Sequence, residues 1–92
     1  MINFRVTLTD DSVHEVRVLP IDIRLAEKKF GKSVTEMDRN PSMDETGFLI
    51  FNAMKREGRT TADTLDAFFE VWADADKIEA PKVTAPGVQA GS

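Results

Sequence analysis

Ile2, Phe4, Val6 and Leu8 alternate with Asn3, Arg5, Thr7 and Thr9, and a period of two commits this opening to a strand with one face buried. A second run, about 13 to 19, follows the turn residues Asp10-Asp11-Ser12. A three-residue loop that pairs Thr9 with Val13 sets Val6 opposite Val16 and Phe4 opposite Val18, gathering the apolar side chains on one face. A two-residue loop would set Val6 against Glu15 and Phe4 against Arg17, so the pattern selects the former and predicts a hairpin over 2–19. A lone two-stranded ribbon is marginal in water, and its apolar face needs the following helices or another subunit.

Pro20 suits the first position of a helix and Gly31 its end, which predicts a helix at about 20–30. Ile23, Ala26 and Phe30 fall on one side of it and Ile21 and Leu25 nearly opposite, so it is expected to touch two things. Ser33-Val34-Thr35-Glu36 has the form of a capping box and predicts a short turn of helix to Met37, broken by Asp38-Arg39-Asn40-Pro41. A second box, Ser42-Met43-Asp44-Glu45, opens a helix at 43–57 stopped by Gly58. Its Met43, Phe48, Leu49, Ile50, Phe51, Ala53 and Met54 cover most of its circumference, the mark of a central helix, and Gly47 invites close approach by a neighbour. Thr60 or Thr61 is the expected cap of a third main helix at 61–78, with Leu65, Phe68, Phe69 and Trp72 as its stripe and Asp63, Asp66, Glu70 and Asp74 opposite. From Glu79 the chain loses periodicity, and 79–92 reads as a flexible tail. The expectation is a single α+β domain over 1–78: an N-terminal β-hairpin, then three main α-helices.

Composition narrows the function. Twelve basic against sixteen acidic residues give a net charge of −4, which disfavours nucleic-acid binding, since phosphate contacts need clustered Lys and Arg. The longest apolar run, Phe48 to Phe51, is far short of the ~20 residues that span a bilayer, and the N-terminus lacks the pattern of a secretion signal. A cytoplasmic protein without membrane or nucleic-acid partners is expected. With no cysteine and one histidine, structural zinc and other metal sites are not expected, nor is any cofactor. Asp10, Asp11, Ser12 and His14 combine the residue types of hydrolytic chemistry, but one turn gives them neither an oxyanion pocket nor burial. The oxygen-rich 38–45 segment resembles a calcium loop, yet Met43 stands where the sharp turn needs Gly and Leu49 where a bidentate Glu is needed. The five glycines are scattered, so no phosphate cradle forms, and no enzyme is expected. Lys55-Arg56 with Arg59 makes a compact basic end on the second main helix, which could meet an acid on a partner or serve only to complement the helix dipole.

What remains is apolar bulk. Six Phe, one Trp and four Met are much for a small domain to hide, because a chain of this size buries only about 60–65% of its surface. Phe48, Phe51, Met54, Phe69 and Trp72 are therefore the expected partner-binding residues, and Ile21, Leu25 and Phe30 the expected contacts of a homo-oligomer.

The strings Glu27-Lys-Lys-Phe-Gly-Lys-Ser33, Phe48-Leu-Ile-Phe-Asn-Ala-Met-Lys-Arg-Glu-Gly58 and Thr61-Ala-Asp-Thr-Leu-Asp-Ala-Phe-Phe69 resemble the tail assembly chaperones of long, flexible-tailed bacteriophages, especially those of actinobacterial phages. The order of parts is also similar over residues 2 to about 80, although Asp10-Asp11-Ser12 stands where a glycine-containing turn would be commoner. The resemblance implies a non-enzymatic factor in the host bacterial cytoplasm, absent from the mature virion. Such a factor binds the tape measure protein, keeps it soluble and helps recruit the tail tube protein. It also implies association with a frameshift-extended form of the chain, diverging near Pro81. A helix-in-groove site on the second and third main helices would suit a long helical client, with the acidic face either complementing basic client residues or simply solvated. The alternative reading is a small adaptor or regulator, antitoxin-like, that binds one folded partner.

Overall fold

A computed structural model describes residues 2–78. Two strands, β1 (Ile2–Leu8) and β2 (Val13–Val18), are followed by helices α1 (Pro20–Phe30), α2 (Val34–Arg39), α3 (Met43–Arg56) and α4 (Leu65–Val71), and a closing strand, β3 (Trp72–Ile78). The mixed α+β class, the N-terminal hairpin, α1 and α3 match the expectation from sequence. The 79–92 tail lies outside the described residues.

The hairpin forms with a different register. Phe4 pairs with Val16, Ile2 with Val18 and Val6 with His14. The loop has three residues as expected but sits one position earlier, at 9–11: the Leu8 amide donates to the Ser12 carbonyl at 2.9 Å and the Asp11 amide to the Leu8 carbonyl at 2.9 Å. Asp11 takes the left-handed conformation (φ 70°) that Asp and Asn tolerate better than other side-chain-bearing residues. Asp10 Oδ1 accepts from the Ser12 amide and hydroxyl, fixing the turn locally. A shift of two residues preserves which side chains face in, so hydrophobic patterning alone could not separate the two registers.

The expected 61–78 helix is replaced by a short helix and a strand. Thr64, not Thr60 or Thr61, caps α4, its hydroxyl accepting from the Ala67 amide at 3.1 Å. The Thr60 hydroxyl instead accepts from Ala62 in a preceding turn. The helix ends at Val71, whose carbonyl accepts from the Thr9 amide at 2.8 Å, and the chain joins the free edge of β1 in antiparallel register, Val6 opposite Ala75 and Arg5 opposite Asp76. The sheet order is β2-β1-β3. Ala and Asp are poor strand formers, so this strand owes its existence to the unpaired edge of β1 rather than to local propensity. With Asp74 on a strand, Asp63, Asp66, Glu70 and Asp74 do not make one acidic helix face.

One sheet face carries the core. Phe4, Val6, Val16 and Val18 pack under α3, which contributes Leu49, Ile50, Ala53 and Met54, and Phe68 of α4 is fully buried beside them. α3 contacts β2, α1 and α4, the central place its apolar circumference requires. Both capping boxes form: Ser33 Oγ accepts from the Glu36 amide and Ser42 Oγ from the Glu45 amide, each glutamate reaching back to the cap's own amide. At the other end Gly58 (φ 69°) closes α3 in a Schellman motif, the Arg59 amide donating to Met54 and the Gly58 amide to Lys55.

Candidate protein-binding surface

The aromatic side chains divide into an inner and an outer group. Phe51 (8% exposed) and Met54 (0%) belong to the core, so these two expected partner-binding residues are not available at the surface. The reason is the position of α3: lying across the sheet, it turns the face bearing Ile50, Phe51 and Met54 inward. Phe48, Phe69 and Trp72 are half-buried and remain partly accessible.

Phe69 and Trp72 form the clearer surface. Their ring centroids are 5.3 Å apart, and Trp72 also stacks on buried Phe68 at 5.9 Å. Both outer rings lie against Gly47, where a Cβ would meet Phe69 Cζ at 2.6 Å and Trp72 Cζ3 at 3.1 Å, so the glycine admits side chains from α4 and β3 onto α3. The Trp72 indole N–H is satisfied by the Asp74 carbonyl at 2.9 Å, leaving the ring edge apolar. Beside them Met43, at the first turn of α3, is 68% exposed. Met43, Phe69, Trp72 and Ala75 line an open groove of about 340 Å³. Met43 was not among the residues that sequence reasoning placed at a site; the capping box put it on the first turn of α3 but did not show that β3 would run beside it.

Phe48 faces elsewhere. It packs edge-on against Phe30 at 5.7 Å, and Lys29 Nζ lies 5.6 Å from the Phe48 centroid and 5.8 Å from that of Phe30. Phe30 is thus half-buried between α1 and α3, whereas Ile21 (45%) and Leu25 (39%) project from α1. The two-sided character of α1 is present, with its outward side reduced to those two residues.

Buried charge holds this frame. Asp22, fully buried, accepts from the Leu19 amide (2.8 Å), Asn52 Nδ2 (2.8 Å) and the Arg56 guanidinium in a two-pronged contact (3.2 and 2.8 Å). This ties the start of α1 to the end of α3, and the same contact pushes the Arg56 pKa up, partly opposed by desolvation. Glu45, also buried, pairs with Lys32 at 2.9 Å; that hydrogen bond, with help from the Ser42 amide and against desolvation, holds its carboxyl below the usual range. A second cleft, about 240 Å³ between β1, α2 and α3, has an apolar floor of Phe4, Met37 and Leu49 and a Lys77–Asp38 ion pair at its rim.

The polar turn is knit together by its own side chains. The Ser12 hydroxyl donates to Asp10 at 2.6 Å, so at 3.1 Å the His14 Nε2 faces an oxygen whose proton is already committed. These bonds from Ser12 lower the Asp10 pKa. His14 is half-buried on the inner face opposite Val6. Among the described residues no group of three or more His, Cys, Asp or Glu is placed to hold a metal, and no helix is long and apolar enough to cross a membrane. In comparisons with models of known families, curated proteins and solved structures, nothing matches this chain.

Proposed function

We propose that this chain is a tail assembly chaperone of a long, flexible-tailed phage, working in the host bacterial cytoplasm as a non-enzymatic binder of the tape measure protein that helps recruit tail tube subunits. The supporting observation is the groove of Met43, Phe69 and Trp72: an apolar surface left open by a chain that buries Phe4, Phe51 and Phe68. Apolar side chains of a client that aggregates alone would be shielded there, while the net charge of −4 keeps the complex soluble. The sequence resemblance supplies the identity of the client.

Co-expression tests the proposal. The tape measure protein of the same phage is expected in the soluble fraction with the wild-type chain and in the pellet with a Met43→Ser, Phe69→Ser variant that still folds. Equal solubility with and without this chain would end the tail-assembly reading.

A further inference from the structure

The two edges of the sheet are treated differently. The Leu8 amide donates to the Ser12 carbonyl, and the alternation of an antiparallel ladder therefore turns the amides and carbonyls of Glu15 and Arg17 away from β1, toward the outer edge of β2. Those carbonyls are already occupied: Arg59 Nη1 donates to Glu15 O at 2.7 Å and Arg56 Nη2 to Arg17 O at 3.3 Å. Side chains from the end of α3 and the turn after it thus close the β2 edge to another strand.

The β3 edge has no such cover among the described residues. In its register with β1, Arg5 and Asp76 exchange bonds, which turns the backbone groups of Ala75 and Lys77 outward. Ala75 offers a small side chain there, and Lys77 is drawn to Asp38. The Met43–Phe69–Trp72 groove is lined by Ala73 and Ala75 and by no β1 residue, so it lies on the outer side of β3, beneath the place an added strand would take. On the opposite face the charges alternate across the sheet: Glu15 pairs with Arg5 at 3.9 Å, Arg5 lies opposite Asp76, and no strand among the described residues takes the next place. Asp74 stands on the same face, opposite Thr7.

We infer that β3 takes an additional strand from a partner, an extended segment in which Lys or Arg alternates with apolar residues. The basic side chains continue the alternation beside Asp74 and Asp76, the apolar ones enter the groove over Met43 and Trp72, and the backbone pairs with Ala75 and Lys77. A second copy of this chain fits poorly, because antiparallel pairing of two β3 strands about Ala75 sets Asp74 against Asp76 twice. The inference names the segment that the groove would receive and rests on the groove being a partner site; its probes are peptides, so it stands or falls apart from the identity of the client.

The test uses the full-length chain labelled with ¹⁵N and capped octapeptides of alternating Lys and Val, of alternating Glu and Val, and of Lys and Val with every second amide N-methylated. The Lys peptide is expected to shift the amides of Ala73, Ala75 and Lys77 and slow their exchange, with the other two binding at least tenfold more weakly. Asp74→Lys, which faces Thr7 and disturbs no ion pair, should weaken the Lys peptide at least tenfold and strengthen the Glu peptide. Ala75→Pro, which removes only an outward donor, should weaken the Lys peptide tenfold with the fold intact by circular dichroism. Equal binding of the Lys and Glu peptides, no shifts at β3, or shifts confined to α1 would each overturn the inference. So would slow exchange at these amides without peptide, whether it grows with concentration, as for a second copy, or does not, as for another part of the same chain.

Discussion

At Gly47 two opposed effects can be weighed on one atom. Alanine would add about 1 kcal/mol of helix propensity, but its Cβ would stand 2.6 Å from Phe69 Cζ and 3.1 Å from Trp72 Cζ3. Overpacking of this kind costs about 1–3 kcal/mol, and because Phe69 is half-exposed its ring can swing outward at the lower end of that range. Gly47→Ala should therefore lower stability by zero to about 2 kcal/mol in urea unfolding and shift the emission of the single tryptophan. A variant stabilised by the whole propensity gain, with unchanged emission, would contradict the close packing described. Asp22 gives a second residue-scale case. Asp22→Ala would strip the Leu19 amide, Asn52 and Arg56 of their common acceptor. Losing one partner of a buried pair costs about 3–5 kcal/mol, and Arg56 can recover some hydration, so a loss of about 2–4 kcal/mol is expected in the same measurement.

At the scale of elements, α3 is held at its start by Glu45, which both closes the capping box and pairs with Lys32. Its carboxyl has a pKa below the ordinary value of 4.5, so between the two values the unfolded chain binds more protons than the folded one, and stability rises with pH there. The contribution is complete above about pH 4.5 and disappears as pH falls through the folded value. The stability gap between wild type and Glu45→Gln, followed by urea unfolding from pH 7 to 3, should hold steady to about pH 5 and then close; a gap independent of pH would show that the charge plays no part. Both boxes around α2 and α3 were legible in the sequence because a cap is a local device, read from four residues. The same holds for Pro20 and Gly31 at the ends of α1. β3 was not legible. Trp72-Ala-Asp-Ala-Asp-Lys-Ile78 continues the helical spacing of Leu65, Phe68 and Phe69 by one more ring, and nothing within it announces a strand. Its cause, the open edge of β1, lies some seventy positions earlier in the chain. The site shows the same division: Phe69 and Trp72 meet as their spacing suggests, Phe51 and Met54, expected at a partner surface, are buried because of where α3 lies, and Met43 joins the groove only because β3 runs beside it.

Taken as a whole, the molecule leaves apolar side chains at separate places for which burial offers different consequences. Phe68 is fully enclosed, and Phe68→Ala should cost about 3–5 kcal/mol, as expected of a core ring. Ile21 and Leu25 project from α1 on the side away from Ala26, which is fully buried, and their removal should cost the fold little. If self-association uses this face, the wild type should exceed monomer mass by light scattering at tens of micromolar. Ile21→Ser with Leu25→Ser should return it to monomer, with the melting point within a few degrees and the response of Ala73 and Ala75 to the Lys peptide retained. A wild type already monomeric, or a double variant of unchanged mass, would remove α1 from any interface. Both surfaces follow from the placement of α3: it spends its circumference on the strands and on Phe68, and what α1 and β3 carry on their outer sides is left for other chains.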